Sequence, residues 1–225
     1  CILSGTQSLF RQDKGKGKDK MKLLYGTTNR AKLDTMKKAL AGLPIELIGL
    51  GDLSGPLPKI EEDGATPLEN AQRKARAYYE AFGIPVFSCD SGLYFEEVQP
   101  QEQPGIYVRR VNGRELNDEE MIWHYAQLAQ RHGGQLTARY KNAICLILDA
   151  DNCFSSIDPS LWTEPFLLVS KPHHKRVKGF PLDSLSKEIA SSRYYYDLEK
   201  LDLSTNALEK GFRTFLQEHL PIEQR

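Results

Sequence analysis

Glu61-Glu62-Asp63-Gly64-Ala65-Thr66-Pro67-Leu68-Glu69-Asn70-Ala71-Gln72-Arg73-Lys74-Ala75-Arg76 is the stretch on which the reading of this chain turns, and Cys89-Asp90-Ser91-Gly92-Leu93 is its counterpart. The first half is an acidic loop that runs into a helix. Thr66 is placed to cap that helix, Pro67 fits its first position, and Glu69 follows three residues after the cap, which completes a capping box. Leu68, Ala71, Ala75, Tyr78 and Phe82 recur at helical spacing and give a face to bury. Glu69, Asn70, Arg73 and Lys74 fall on the other faces, with Glu69/Arg73 and Asn70/Lys74 neighbours at i,i+4. Gly83 suits a left-handed cap with Pro85 just beyond it, so the helix is expected to stop there. Val86-Phe87-Ser88 then reads as a short apolar strand that ends on Asp90-Ser91-Gly92, a turn signal.

An acidic loop, a helix carrying Asn and Lys, and a strand ending in an acid together suit a polyphosphate and a metal. Mg²⁺ (or Mn²⁺) takes carboxylate oxygens, and substrate phosphates complete its octahedron. Each part alone has a plainer reading: Glu69 as a capping residue, Lys74 as a solvated helix lysine, Asp90-Ser91-Gly92 as an ordinary turn. It is the combination that points to a site.

Outward from this stretch the chain reads as alternating strands and helices. Lys22–Thr27 is a short strand, and Thr28-Asn29 caps a helix with Leu33, Met36 and Leu40 on one stripe, ending near Gly42. A strand, a polar turn and a helix N-terminus in succession leave unpaired N–H groups for an anion, and Lys32 one turn inside strengthens a phosphate reading. Ile45–Leu50 is a second strand. Asn117-Asp118-Glu119-Glu120 is a further capping box, opening a helix that closes at Gly133. Residues 136–149 form a long strand whose Ala143–Leu148 portion is uninterrupted apolar, as at the centre of a sheet. Phe154–Ile157 and Trp162–Val169 are read as two more strands, forming an antiparallel extension. A last helix buries Leu208, Phe212, Phe215 and Leu216.

The 225 residues suffice for a substantial core. Acidic and basic residues balance at 30 each, so no global field recruits nucleic acid or an anionic membrane. Cys1, Cys89, Cys145 and Cys153 show neither C-x-x-C pairing nor zinc spacing and read as free thiols in a reducing, cytoplasmic setting. Residues 1–20, with the Lys/Gly tract Arg11–Lys20, are expected to be a disordered basic leader. Met21 is a candidate start, and 21–225 one domain. The apolar run Cys1-Ile2-Leu3 is too short for a signal peptide or a membrane span. The paired His173-His174 lack a spaced third ligand, so no transition-metal site is expected there.

Glu62-Asp63-Gly64-Ala65-Thr66-Pro67-Leu68-Glu69-Asn70-Ala71 with Lys74-Ala75 resembles the E-x-G-x-T-x-x-E-N-A…K-A signature of the inosine triphosphate pyrophosphatase family. Cys89-Asp90-Ser91-Gly92-Leu93 is similar to that family's D-D-S-G-L, and Pro104-Gly105-Ile106-Tyr107 to its P-G-x-Y. Thr28-Asn29-Arg30-Ala31-Lys32 resembles the Thr/Asn/Lys segment that follows its first strand. The resemblance covers roughly residues 22–150. It implies an elongated, two-lobed α/β fold, with a long twisted mixed sheet flanked by helices and a nucleotide cleft between the lobes. The implied activity is metal-dependent hydrolysis of nucleoside triphosphates, non-standard purines above all, to the monophosphate and pyrophosphate. In that reading Glu62 and Asp90 hold Mg²⁺ (or Mn²⁺), and Asp90 orients or deprotonates the attacking water. Thr28, Asn29, Lys32, Asn70, Lys74, Ser91 and Gly92 bind the polyphosphate. A homodimer is implied, with no membrane and no nucleic-acid partner.

The resemblance thins in two places. Cys89 stands where the family commonly carries a second acid, which leaves Glu61 and Asp63 as substitute donors or turnover reduced. Gly179-Phe180-Pro181-Leu182-Asp183-Ser184 keeps the Phe and Asp of the family's base-reading G-F-G-Y-D-P but replaces the central Gly-Tyr. The family's later S-H-R has no clean match; Ser204-Thr205-Asn206 is the positional candidate, Ser191-Ser192-Arg193 the nearer in residue type. Broad, weak base discrimination is expected, with Arg193 the next residue to suspect. Two rival readings are a nucleotide-binding protein without turnover, and a nucleic-acid or partner module using the leader and the basic run Lys171–Lys178.

Overall fold

The computed structural model describes residues 20–198 and 205–222. β1 (Met21–Tyr25) leads to Asn29, whose Oδ1 accepts from the N–H groups of Ala31 and Lys32 and so starts α1 (Arg30–Ala39). α1 buries Leu33 and Met36 and returns the chain to β2 (Ile45–Gly49), parallel to β1. α2 (Pro67–Phe82) then carries it past β1 to β3 (Val86–Phe95), which is also parallel to β1. The strand order β2-β1-β3 places a reversal of winding between β1 and β3. In α/β sheets such a switch point opens a crevice beyond the strands' carboxyl ends, where ligands bind. β1 and β3 pair only at Leu24↔Val86 and Tyr25↔Phe87. Past Phe87 the β1-facing edge of β3 is open until Gly105 bridges Leu93.

After a hairpin of β4 (Arg110–Val111) and β5 (Arg114–Glu115) comes α3 (Asp118–Arg131), opened by the expected capping box of Asn117 and Glu120. β6 (Gln135–Ile147) is the long strand, antiparallel to β3 from Val86↔Ile147 to Phe95↔Ala138. It also pairs antiparallel with β7 (Cys153–Ser156) and β8 (Phe166–Val169), and β9 (Ser186–Lys187) extends the sheet beyond β8. α4 (Thr205–His219) packs against α1. This is an α/β fold with a large mixed sheet flanked by helices.

The pleat of β6 sorts the core, because successive side chains point to opposite faces. Ile144 and Leu146 join Leu33, Met36, Phe212 and Leu216 in one cluster. Leu136 and Ala138, on the same face of β6, join Tyr125, Leu128 and Leu185 in a second. Ala143, Cys145 and Ile147 face the other way, under Ala71 and Ala75 of α2. Two apolar masses thus sit at opposite ends of one sheet face, with the middle of β3 and β6 between them. Gly211 lets α4 close on its neighbour: a Cβ there would stand 2.1 Å from the Ser160 carbonyl oxygen. Among the described residues no helix is long and apolar enough to cross a membrane.

The structure corrects the sequence reading in several places. Asp90-Ser91-Gly92 does not end a strand; it continues β3, in register with Ala143, Asn142 and Lys141. Turn propensity yields there to a full ladder with β6. Only Phe166–Val169 of the expected Trp162–Val169 strand is extended ladder, since Pro159–Leu161 is a 3₁₀ turn and Trp162 Nε1 donates back to the Ile157 carbonyl. The proposed leader residues 1–19, Ser204, and the side chains of Thr205, Asn206 and Leu208 lie outside the described residues.

Candidate active site

Asp90 is the hub. Its Oδ1 accepts from Lys74 Nζ at 2.8 Å and its Oδ2 from Asn70 Nδ2 at 3.1 Å. Lys74 Nζ also reaches Glu62 Oε2 at 3.5 Å. One ammonium therefore stands between two carboxylates. Asn70 Oδ1 in turn accepts from the Gly64 N–H at 2.9 Å, which ties the acidic loop to the helix. Gly64 has no room for a side chain, because a Cβ would meet Asn70 Oδ1 at 2.6 Å. Asn70 and Lys74 lie off the apolar face of the helix, as their spacing predicts, yet both are buried, at 2 % and 8 % exposure. A polar network, not apolar contact, explains their burial, so hydrophobic spacing could not reveal it. The expected Glu69/Arg73 pair is also replaced: Arg73 pairs with Asp63, and the Glu69 carboxylate accepts from the Ala65 N–H, one residue before the capping Thr66.

Burial alone would lower the Lys74 ammonium's pKa, but the Asp90 charge and, behind it, Glu62 outweigh burial and raise it. Lys74 is thus a fixed positive charge at neutral pH. Glu62, Asn70 and Asp90 line a cavity of about 320 Å³ whose far wall is Ile106, Tyr107, Arg109, Arg110 and Glu115. Arg109 is committed to the Leu116 carbonyl and to Asp118. Arg110 is exposed and makes no ion pair among the described residues. In the sequence Tyr107 stands out only as part of the Pro104-Gly105-Ile106-Tyr107 motif, and nothing but nearness to that motif marks Arg110.

A pleated strand presents neighbours on opposite faces, so Cys89 and Ser91 face away from Asp90. Cys89 packs against the α1-side core, where burial pushes its thiol up to about 12 while Lys74 and Lys32 pull the other way. It therefore remains a neutral thiol. Lys32 is exposed one turn into α1, near Cys89, and Thr28 is exposed on the turn before it. The Asn29 side chain caps the first turn. Ser91 Oγ donates to Asn142 Oδ1 at 2.6 Å, and Asn142 Nδ2 donates to the Leu161 carbonyl at 2.7 Å. Gly92 is a packing glycine, since a Cβ would lie 3.0 Å from the Gly105 carbonyl oxygen. Thr28, Asn29, Lys32, Ser91 and Gly92 are not among the residues lining the cavity of Glu62, Asn70 and Asp90.

Phe180 and Asp183 sit farther along. Phe180 is half-buried and precedes a 3₁₀ turn, Pro181–Leu185, that buries Pro181, Leu182, Ser184 and Leu185. Pro181 at the first position of that turn and Leu182 in the second core account for the departure from Gly-Tyr. Asp183 keeps solvent access but lies close to Tyr140 and Tyr196, and partial desolvation pushes its carboxyl up to about 6. The segment is moored to α3: the Gly179 N–H donates to Asp118 Oδ2, and Arg176 pairs with Glu119. Asp118, which also holds Arg109, links the Phe180 segment to the wall of the acid cavity. In the basic run Lys175 lies over the Tyr196 ring and His173 pairs with Asp197. The Arg193 guanidinium donates to the Asp197 carbonyl.

Among the described residues no three His, Cys, Asp or Glu side chains gather to make a closed metal cage. Glu61 is exposed, as Glu62 is, and Asp63 is paired with Arg73. Two hard carboxylates beside a cavity fit an ion of the Mg²⁺ type, which takes one or two protein carboxylates and fills its shell with water and phosphate.

The Ham1 family model matches residues 23–157. The dITP/XTP pyrophosphatase of Aquifex aeolicus is 43 % identical over 90 residues, 40 % of this chain and 42 % of that protein. That of Thermus thermophilus is 34 % identical over 126 residues, 56 % of this chain and 59 % of that protein. The chain therefore spans about two-fifths to three-fifths of the relatives it matches. In three dimensions a HAM1 protein from Coxiella burnetii superposes with a TM-score of 0.69 at 22 % identity, covering 88 % of this chain and 99 % of that one. The four motifs, the switch-point site and the match over residues 23–157 agree, and the chain belongs to the Ham1 family.

Proposed function

We propose that this chain is a nucleoside triphosphate pyrophosphatase, cleaving between the α- and β-phosphates to give a monophosphate and pyrophosphate. The arrangement of Asp90, Glu62 and Lys74 at the open edge of β3 is the observation that carries the reading. Asp90 orients the attacking water and takes its proton. Lys74 and Lys32 hold the polyphosphate, and Thr28, Asn29, Ser91 and the backbone at Gly92 lie along its path. Arg110, across the cavity, is placed to meet the leaving pyrophosphate. Glu62 and Asp90 would hold a Mg²⁺ or Mn²⁺ ion, which neutralises charge developing on the phosphate oxygens. Phe180 stacks on the base and Asp183 accepts from its edge. Similarity to relatives named dITP/XTP pyrophosphatase supports non-standard purine triphosphates as the substrate class.

Residues 21–225 act as one catalytic unit in this reading, in a reducing cytoplasmic setting suited to free thiols. A homodimer fits the exposed Trp123, which lines a hollow of about 580 Å³ with Val111, Leu116 and His124. A second reading, a nucleotide-binding protein with reduced turnover, is favoured by one observation: position 89 offers a neutral thiol where an acid would add charge. A panel of ribo- and deoxynucleoside triphosphates, with Mg²⁺ and with chelator, separates the two. Metal-dependent release of monophosphate and pyrophosphate supports the enzyme; saturable binding without release supports the alternative.

A further inference from the structure

Cys145 of β6 and Cys153 of β7 both carry free thiols, and their sulfurs stand 3.9 Å apart. The register of the two strands explains the approach. Cys145 pairs with Ser155 and Ile147 pairs with Cys153, so the cysteines are diagonal neighbours on one face of an antiparallel ladder. Their surroundings differ sharply. Cys145 is 1 % exposed and packs in the core beneath α2, whereas Cys153 is exposed. Burial, and after it the neighbouring Cys153 sulfur, pushes the Cys145 thiol up to about 12, so it rests as a protonated thiol out of reach of a dissolved oxidant. A disulfide needs the sulfurs at about 2.05 Å. Among the described residues β7 pairs with no strand but β6, so bridging the two sulfurs would displace an edge of the ladder and not its centre.

We propose that Cys145 and Cys153 form a reversible dithiol–disulfide couple that a hydroperoxide oxidises. The exposed Cys153 thiol gives up its proton as its sulfur attacks one oxygen of the peroxide; the O–O bond breaks, Cys153 becomes a sulfenic acid, and the departing hydroxide takes up that proton and leaves as water. The Cys145 sulfur then attacks the Cys153 sulfur, the S–O bond breaks, and the departing hydroxide leaves as water with the Cys145 proton. In balance, two thiols and hydrogen peroxide give one disulfide and two waters. The buried partner thus acts as the resolving thiol, reached only by the neighbour it already touches. Gln72 of α2 donates to Ser155 Oγ at 3.0 Å, so the oxidised pair would fasten β7 beneath the helix that carries Asn70 and Lys74. The proposal does not depend on the hydrolase reading.

The test treats the folded, full-length chain with hydrogen peroxide, blocks remaining thiols by alkylation, and maps linked peptides by mass spectrometry. The expected result is a Cys145–Cys153 cross-link with loss of both thiols to alkylation, restored by dithiothreitol, while Cys89 stays reduced. In Cys153→Ser, a change at an exposed position, Cys145 should remain a thiol under the same treatment. Cys153 driven to sulfinic or sulfonic acid beside an unmodified Cys145 would overturn the proposal. Cross-links that run instead to Cys1, Cys89 or a second chain would overturn it equally.

Discussion

Lys74 Nζ lies 2.8 Å from Asp90 Oδ1, an ion pair that fastens the middle of α2 to the middle of β3. Both side chains are mostly shielded, at 11 % and 16 % exposure, so water screens the pair little. Glu62 shares the ammonium from the acidic loop. The same contact thus holds three elements together and sets charge of both signs at the switch point.

Replacing Asp90 with Asn keeps the size but removes the base and the negative charge. We expect turnover to fall by about 10²–10⁴, as for loss of a positioned general base, with nucleotide binding largely kept. The fold should also lose roughly 1.5–3 kcal/mol, the worth of a hydrogen bond to a charged group. Steady-state kinetics and urea unfolding measure the two effects. Near-normal turnover would reduce Asp90 to a structural partner of Lys74.

Asp183 supplies a pH signature. Its carboxyl is raised from 3.8 to about 6 by desolvation, so the folded chain binds a proton that the unfolded chain has released. Stability should therefore fall as pH rises between those two values, and Asp183→Asn should flatten that slope. Ionised, Asp183 can accept from the N–H on the edge of a 6-oxo purine. KM for inosine triphosphate is accordingly expected to drop as pH rises through about 6, and the step should vanish in Asp183→Asn. A step that survives the substitution belongs to another group.

Gly211 makes a prediction about stability alone. A Cβ there would overlap the Ser160 carbonyl, and backbone cannot rotate away as a side chain can. Gly211→Ala should destabilise by about 1–3 kcal/mol, the usual range for overpacking, although alanine is the better helix former. Thermal unfolding would show it, and an unchanged or higher Tm would mean α4 sits farther from the Pro159–Leu161 turn.

Base discrimination should be modest. In the proposed function Phe180 stacks on the base, a contact worth about 1–3 kcal/mol whichever base is bound, while Leu182 packs in the second core. Inosine and xanthosine triphosphates are expected to lead GTP and ATP by a small factor in kcat/KM. A large preference would require a donor not yet assigned; Arg193 is the first to replace with Ala, which should then erase the preference.

Much of this was legible in the sequence, for identifiable reasons. The caps of α1, α2 and α3 are local hydrogen-bond chemistry, and Asn29, Thr66 and Asn117 all perform it. The long apolar core of β6 announced a central strand. What periodicity could not show was the inward turn of Asn70 and Lys74, because a polar network pulls them in against their hydropathy. Nor could turn propensity foresee Asp90-Ser91-Gly92 as strand, since the pairing that holds it lies some fifty residues away. Arg110 and Tyr107 escaped notice as site residues because only the folded loop brings them across from Asp90.

Product stoichiometry decides whether the chain hydrolyses nucleoside triphosphates between the α- and β-phosphates. Purified protein with Mg²⁺ and inosine triphosphate should release inosine monophosphate and pyrophosphate in equal amounts, with no orthophosphate. Diphosphate with orthophosphate, or no product from protein that binds the nucleotide, would contradict it.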